Sequence, residues 1–366
     1  MASLNRTTLV AELTSQLRQA ILRGRYPLNS RLPTVRRLAA EYHVSTSVVS
    51  QAIRALSREG LVASRQGSGT TVLTKPSPMR MLVWTPRQEG RSYAMSGGIS
   101  FVRFCLTRGV TRTAEELGVS VEPISSVAAP PLAQESLPSA SDNLPGVILF
   151  EAHGQEGVIE MLSRHSIPFV VAHTCRTDLP YRCVITDTAG SFCLGVAELS
   201  RLGHRRIALV TPRPETDTGG FFSARLDGYR RALTKAGIAP DDRLVLLVDD
   251  PPDEPMIGKI RDLLTLPDPP TAFACGEDYI ALSVLDALTK LGARVPGDYS
   301  VIGYDDIVEA AESVPPLTTV HNPLEASARE AVRMLHRIMT GEKDVPRAVM
   351  LTGDLVRRSS CAPPPQ

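Results

Sequence analysis

The chain has 366 residues, which predicts two or three domains, and it is 43% hydrophobic and 22% charged with a net charge of +1. That balance excludes a disordered chain, and no apolar run approaches the ~18–20 residues that span a bilayer. The total charge conceals an asymmetry: residues 1–75 hold eleven Lys/Arg against three acids, a net +8, which leaves −7 on the remainder. A basic head on an acidic body predicts a polyanion-binding module joined to something else.

In chain order, Leu9, Leu13, Leu17, Ala20 and Ile21 recur at helical spacing and predict an amphipathic helix ending near Gly24. Val35, Leu38 and Ala39 predict a short second helix. Ser45 stands at an N-cap position, and Val48, Val49, Ala52, Ile53 and Leu56 give the buried face of a third helix that stops at Gly60. Two short strand-like runs around QGSG follow as a hairpin, so residues 1–74 predict a winged helix-turn-helix. TKPSPM, with Pro76 and Pro78, predicts a stiff linker over 75–79.

From residue 80 the texture changes to alternating β and α segments. The runs are RMLVW, a helix within 93–118, VSVEPIS, PGVILF, a helix near 156–164, PFVVAH, CVITD, a helix within 189–202, RIALV, a helix within 223–236, RLVLLV, a helix within 254–265, TAFACG, a helix within 278–291, and YSVIGYD. The alternation predicts an α/β body over 80–366, with parallel sheets covered by helices. Its length suggests two lobes, crossed near 184–188 and again near 318–322. Residues 119–145 are the least regular stretch.

In a helix-turn-helix the N-terminal side chains of the second helix reach base edges in the major groove. Here these are Ser45, Thr46 and Ser47, then Ser50 and Gln51 one turn on. Arg36, Arg37 and Arg54 flank the groove and neutralise phosphates, and Arg65, Gln66 and Gly67 form the wing. Against this stands a plainer alternative, in which Ser45–Ser47 only cap a helix and the arginines form a solvated face. The stretch ILRGRYPLNSRLPTVRRLAAEYHVSTSVVSQAIRALSREGLVASRQGSGTTV (21–72) resembles the GntR-family DNA-binding domain. The resemblance implies that Arg36 contacts phosphate or base, that Ser45 to Ser47 read the major groove, and that Gln66–Gly67 is the wing tip. The sequence departs from the family at Thr46 and Ser50, where arginine is common, so operator sequence does not transfer.

In the body, ITDTAG (185–190), LSRLGHRRIALV (199–210), SARLDGYRRAL (223–233), TAFACGEDYIAL (271–282), LGARVPGDYSVIGYDDI (291–307) and PPLTTV (315–320) together resemble the LacI/GalR effector domain. That domain is a two-lobed periplasmic-binding-protein-like fold, and the combination resembles the arabinose-repressor type of GntR regulator. The resemblance implies that the positions of Arg225 and Asp305 contact a sugar or base between the lobes. Glu277 replaces an asparagine common there, Asp278 follows it, and His173 falls near another cleft position. Each has a plainer alternative: helix capping for Asp305–Asp306, a solvated face for Arg225 and core packing for His173. The aromatics Trp84, Tyr93, Phe101 and Phe104 stack on a sugar or pack in the core.

No Ser/His/Asp or Cys/His set, metal motif, GxGxxG or P-loop is recognisable, so neither an enzyme nor a cofactor or metal is expected. Cys105, Cys175, Cys183, Cys193, Cys275 and Cys361 form no C-x-x-C and are expected to be free thiols in a reducing cytosol. The N-terminus MASLNRTTLVAEL lacks a leader pattern, which adds to the expectation of a cytoplasmic protein. The sequence therefore predicts a homodimeric regulator, a repressor that binds double-stranded DNA and senses a small polar molecule such as a sugar. A purine or sugar acid as effector, an activator, and a small-molecule receptor without operator function are the alternatives.

Overall fold

The computed structural model describes residues 6–22, 24–65, 69–73, 79–85, 98–125, 145–151, 155–213, 220–248 and 256–365. The chain separates into two compact units, one built chiefly from residues 1–81 and the other chiefly from residue 82 onward.

The first unit has three helices, α1 (Arg6–Leu22), α2 (Val35–Glu41) and α3 (Thr46–Arg58), followed by β1 (Val62–Arg65) and β2 (Gly69–Val72). The antiparallel hairpin pairs Val62 with Val72 and Arg65 with Gly69. Residues 29–32 run along its outer edge, with the Leu32 amide donating to Thr70 O at 2.8 Å. The apolar positions spaced three and four apart explain the packing. Leu13, Leu17 and Ile21 of α1 meet Leu38 of α2 and Val49, Ala52 and Leu56 of α3, all buried with Val62 and Val72 of the hairpin. Each such fully buried aliphatic side chain contributes roughly 1.5–3 kcal/mol.

The second unit contains two six-stranded sheets. One has the order β13 (Ala348–Leu351), β7 (Cys183–Thr186), β6 (Phe169–Thr174), β5 (Gly146–Phe150), β3 (Arg80–Thr85), β4 (Ser120–Ser125). The other has the order β14 (Asp354–Val356), β12 (Thr318–His321), β11 (Ser300–Asp305), β10 (Ala272–Cys275), β8 (Ile207–Pro212), β9 (Val245–Val248). Strands β8 to β12 pair in parallel, and β14 closes one edge antiparallel to β12. The central strands β5, β7, β10 and β11 are buried at every residue. This is why they read as continuous apolar runs rather than alternating ones. Pro123 inside β4 is accommodated because β4 is an edge strand.

Helices α4 (Gly98–Leu117), α5 (Glu156–Arg164), α6 (Thr188–Arg201), α7 (Phe221–Lys235), α8 (Met256–Leu264), α9 (Asp278–Lys290), the short α10 (Val308–Glu312) and α11 (Leu324–Met339) complete this unit. The chain passes from one lobe to the other between β7 and α6, returns between β12 and α11, and crosses a third time through Thr352 and Gly353 between β13 and β14. Asp187 fixes the first passage: it is the N-cap of α6, and its Oδ1 accepts from the Gly190 amide at 2.8 Å. The Gly353 amide donates to Ser191 Oγ at 2.7 Å at the third. The six cysteines are all free thiols.

Candidate DNA-reading face and ligand cleft

On the first unit, α3 divides into a buried apolar stripe and a polar face. Thr46, Ser47 and Arg54 are exposed there, and Ser50 and Gln51 are half-buried. Ser45 is the N-cap, its Oγ accepting from the Val48 amide at 3.3 Å. The capping role foreseen as an alternative therefore holds for Ser45, whose hydroxyl hydrogen stays available to donate. Ser50 Oγ donates back to Thr46 O at 2.8 Å, and Gln51 Nε2 donates to Ser47 Oγ at 3.5 Å. Thr34 likewise caps α2 by accepting from the Arg37 amide at 3.3 Å.

Charge is distributed unevenly over this unit. Arg18 grips Glu59 with two hydrogen bonds of 2.8 and 2.6 Å, and Arg25 pairs with Glu41. Two of its three acids are thereby neutralised internally. Arg36, Arg37, Arg54 and Arg65 are exposed and make no ion pair among the described residues. Gln66 and Gly67, the expected wing tip, lie outside the described residues, as do Tyr93 and the linker positions 75–78.

On the second unit, polar side chains gather at the C-terminal ends of the strands, the edge at which ligands bind in open α/β sheets. From one lobe come Glu151 after β5 and His173 on β6. From the other come Phe221 and Arg225 of α7, Glu277 before α9, Asp305 of β11 and Asn322 after β12. His173 sits in a register shift between Val171 and Thr174 with φ of 51°, a bulge that re-aims its side chain. Its amide donates to Ser327 Oγ on α11 at 3.3 Å. Glu151, Asp305 and Asp306 also have positive φ, of 64°, 115° and 61°. Non-glycine residues held in this region carry roughly 1–3 kcal/mol of strain each, and such strain concentrates at ligand clamps.

The cluster is connected across the lobes. The His173 ring stacks on Phe221 with centroids 4.8 Å apart, and its Nε2 lies 4.0 Å from Glu151 Oε1. Arg225 Nη1 donates to Glu277 Oε1 at 3.3 Å, and the guanidinium lies over the Tyr304 ring at 5.3 Å. Asn322 Nδ2 donates to Asp305 Oδ1 at 3.0 Å. Arg225, His173 and Asp305 are each at least nine-tenths buried. Burial pushes the Asp305 carboxyl up to about 8, with the charge of Glu277 adding to the rise and Arg225 and Asn322 opposing it. Burial, assisted by the positive charge of Arg225, lowers His173 to about 4, so its imidazole is neutral at pH 7. His173 Nδ1 and Asn322 Oδ1 are buried with no hydrogen-bond partner. Orphaned polar atoms beside a charged cluster are what a polar ligand's donors and acceptors satisfy.

Two expectations need correction. Asp278 is fully buried and its carboxylate is occupied within its own lobe, Oδ1 by Thr319 Oγ1 at 2.6 Å and Oδ2 by the Ile307 amide at 3.0 Å. It therefore braces the loop that presents Asp305 rather than facing the cleft. The Asp305–Asp306 pair does not cap α10, whose N-cap is Ile307 with no side-chain bond. Asp306 is instead held by Arg358 Nη2 at 2.7 Å and His321 Nδ1 at 3.2 Å. Of the aromatics, Trp84 is core, Phe101 packs against the apolar cluster around Ile280 and Ile307, and Phe104 is exposed. Asn322, Phe221 and Glu151 were not foreseen. Asn322 had a faint signal as an amide directly after the TTVH run, whereas Phe221 and Glu151 had none.

Residues 9–72 match the family described as bacterial regulatory proteins, gntR family, and residues 196–361 match the periplasmic binding protein-like domain. The transcriptional repressor PurR of Erwinia tasmaniensis is 32% identical over 62% of this chain and 66% of its own length. The transcriptional regulator CelR of Thermobifida fusca is 34% identical over 60% of this chain and 64% of its own. The chain thus spans about two thirds of the curated relatives it matches. Among solved structures, a CelR–cellobiose complex superposes with a TM-score of 0.62 at 25% identity, covering 90% of this chain and all of that one. The transcription regulator GntR of Chromobacterium violaceum gives 0.61 at 25% identity over 77% of this chain and 98% of its own. One chain here joins a head that matches the gntR family of bacterial regulatory proteins to a body that matches the periplasmic binding protein-like domain.

Proposed function

We propose that this protein is a DNA-binding transcription regulator, a repressor, whose affinity for its operator is set by a small polar effector held between the lobes of its body. The observation that carries this reading is the cross-lobe cluster of Arg225, Glu277, Asp305, His173 and Phe221, in a chain whose other unit exposes Arg36, Arg37, Arg54 and Arg65 as well as the polar residues Thr46 and Ser47 of α3. Thr46, Ser47, Ser50 and Gln51 are the base-reading candidates. Short hydroxyls and an amide approach base edges closely and accept or donate. Residues 1–74 form the DNA module, 75–79 the linker and 80–366 the sensor.

A sugar suits the cleft: carboxylate oxygens accept from vicinal hydroxyls, the guanidinium donates in a rigid fork, and a ring stacks on the sugar's apolar face. A related solved structure holds cellobiose, which supports this class. The protein acts by binding rather than catalysis, without cofactor or metal, and as a homodimer on a palindromic site, since a two-fold operator asks for a two-fold reader. A ligand that prefers one lobe arrangement shifts the chain toward it, and that differential affinity is the whole of the coupling available.

The test of the DNA arm is the salt dependence of duplex binding by the full chain. Two heads placing four arginines each on phosphates give a log–log slope of about −7. Arg54→Ala lowers the slope by about 1 per head. A binding constant that does not change with salt contradicts the assignment.

A further inference from the structure

The charges in the cleft are unequal. Among the described residues joined to one another there, Arg225 is the one cation, while Glu151, Glu277 and Asp305 are carboxylic acids. Glu277 already shares Arg225: it accepts from Nη1 at 3.3 Å, and the Tyr304 ring lies under the guanidinium face. A ligand carboxylate or phosphate that claims this guanidinium must do so beside the partly buried Glu277 carboxylate, which already balances its charge. That repulsion opposes binding where water is excluded. A hydroxyl or ammonium donor meets no such opposition. It finds acceptors in the carboxyl groups and in Asn322 Oδ1, which is buried without a partner.

We infer that Glu277 is a specificity-determining residue that occupies Arg225 and so makes the cleft refuse anionic ligands, leaving it to neutral or cationic polyhydroxyl compounds and closed to sugar acids and sugar phosphates. The inference rests on the sensing role proposed above. It sharpens that role by removing the sugar acid from the candidate effectors.

Glu277→Gln is a usable probe because Glu277, although at the N-cap position of α9, makes no capping bond there. Its replacement therefore removes charge without removing a cap. The full-length wild type, Glu277→Gln and the double variant Arg225→Ala/Glu277→Gln are melted with D-glucuronate, inorganic phosphate or D-glucose, at matched ionic strength. A ligand that binds the native state raises the melting temperature by mass action. The expected result is that glucuronate and phosphate stabilise Glu277→Gln relative to chloride, leave the wild type unmoved, and lose their effect in the double variant. Stabilisation of the wild type by either anion to the same extent as the variant overturns the inference. So does a Glu277→Gln variant that neither anion stabilises. Failure of the sensing role shows in a different measurement, a DNA affinity that no cleft ligand alters, and leaves the anion comparison intact.

Discussion

Asp305 shows what the cleft asks of a single residue. It ends a strand with φ of 115°, is nine-tenths buried, and has its carboxyl pushed up to about 8, chiefly by burial. A carboxyl that holds its proton more tightly in the folded than in the unfolded chain stabilises the fold below about pH 4, and this contribution is lost as pH rises toward 8. Asparagine cannot ionise and escapes that loss. The melting temperature of Asp305→Asn relative to wild type should therefore climb between pH 5 and pH 8, by up to about 1.4 kcal/mol of stability per pH unit. A difference that stays flat across this range contradicts the burial of an ionising Asp305. Comparing the two proteins at each pH cancels Asp278, which titrates in the same direction. At this scale the sequence was informative where a residue sits in a dense motif. SARLDGYRRAL marked Arg225, and SVIGYDDI marked Asp305. It was uninformative where a contact depends on the other lobe. Nothing local to Phe221 announces that it stacks on His173, 48 residues away and across the crossing.

Elements are set by packing that the apolar pattern largely encodes. The close approach of α6 and α7 depends on Gly228, where a Cβ would collide with the carbonyl oxygen of Ala189. Glycine inside a helical run was legible as punctuation, but its purpose required the neighbouring helix. Asp278 works at this scale too. It ties the start of α9 to β12 through Thr319 and to the loop after β11 through Ile307. Gly303 is required beside it, because a side chain there would collide with that carboxylate. Asp278→Ala leaves a buried hydroxyl and a buried amide without partners. It should lower unfolding stability by about 1–3 kcal/mol in chemical denaturation; a variant as stable as wild type removes this bracing role. The buried parallel strands β5 to β8, β10 and β11 were readable as apolar runs bounded by turn residues. The edge strands β13 and β14 were not, because they are short and half-exposed, and DLV is too brief to show a period.

For the whole molecule, the net charge of +1 resolves into a basic head and an acidic body. In the head, Arg18 and Arg25 are paired with Glu59 and Glu41, while Arg36, Arg37, Arg54 and Arg65 are among the exposed arginines that make no ion pair among the described residues. In the body, three crossings of the chain between the lobes make their relative arrangement the coordinate that a ligand bridging His173 and Arg225 would bias. Two of those crossings were visible in the sequence as motif-rich turns. The third, at Gly353, was hidden with the edge strands it connects. The most direct measurement of the central claim is fluorescence anisotropy of the full-length protein on a selected duplex, with and without a neutral sugar that raises its melting temperature. The sugar should change DNA affinity by about 5–150-fold, the usual span of allosteric coupling. Arg225→Ala should keep the ligand-free DNA affinity and lose the response. An affinity that the bound sugar leaves unchanged, or an Arg225→Ala variant that responds as the wild type does, contradicts the account.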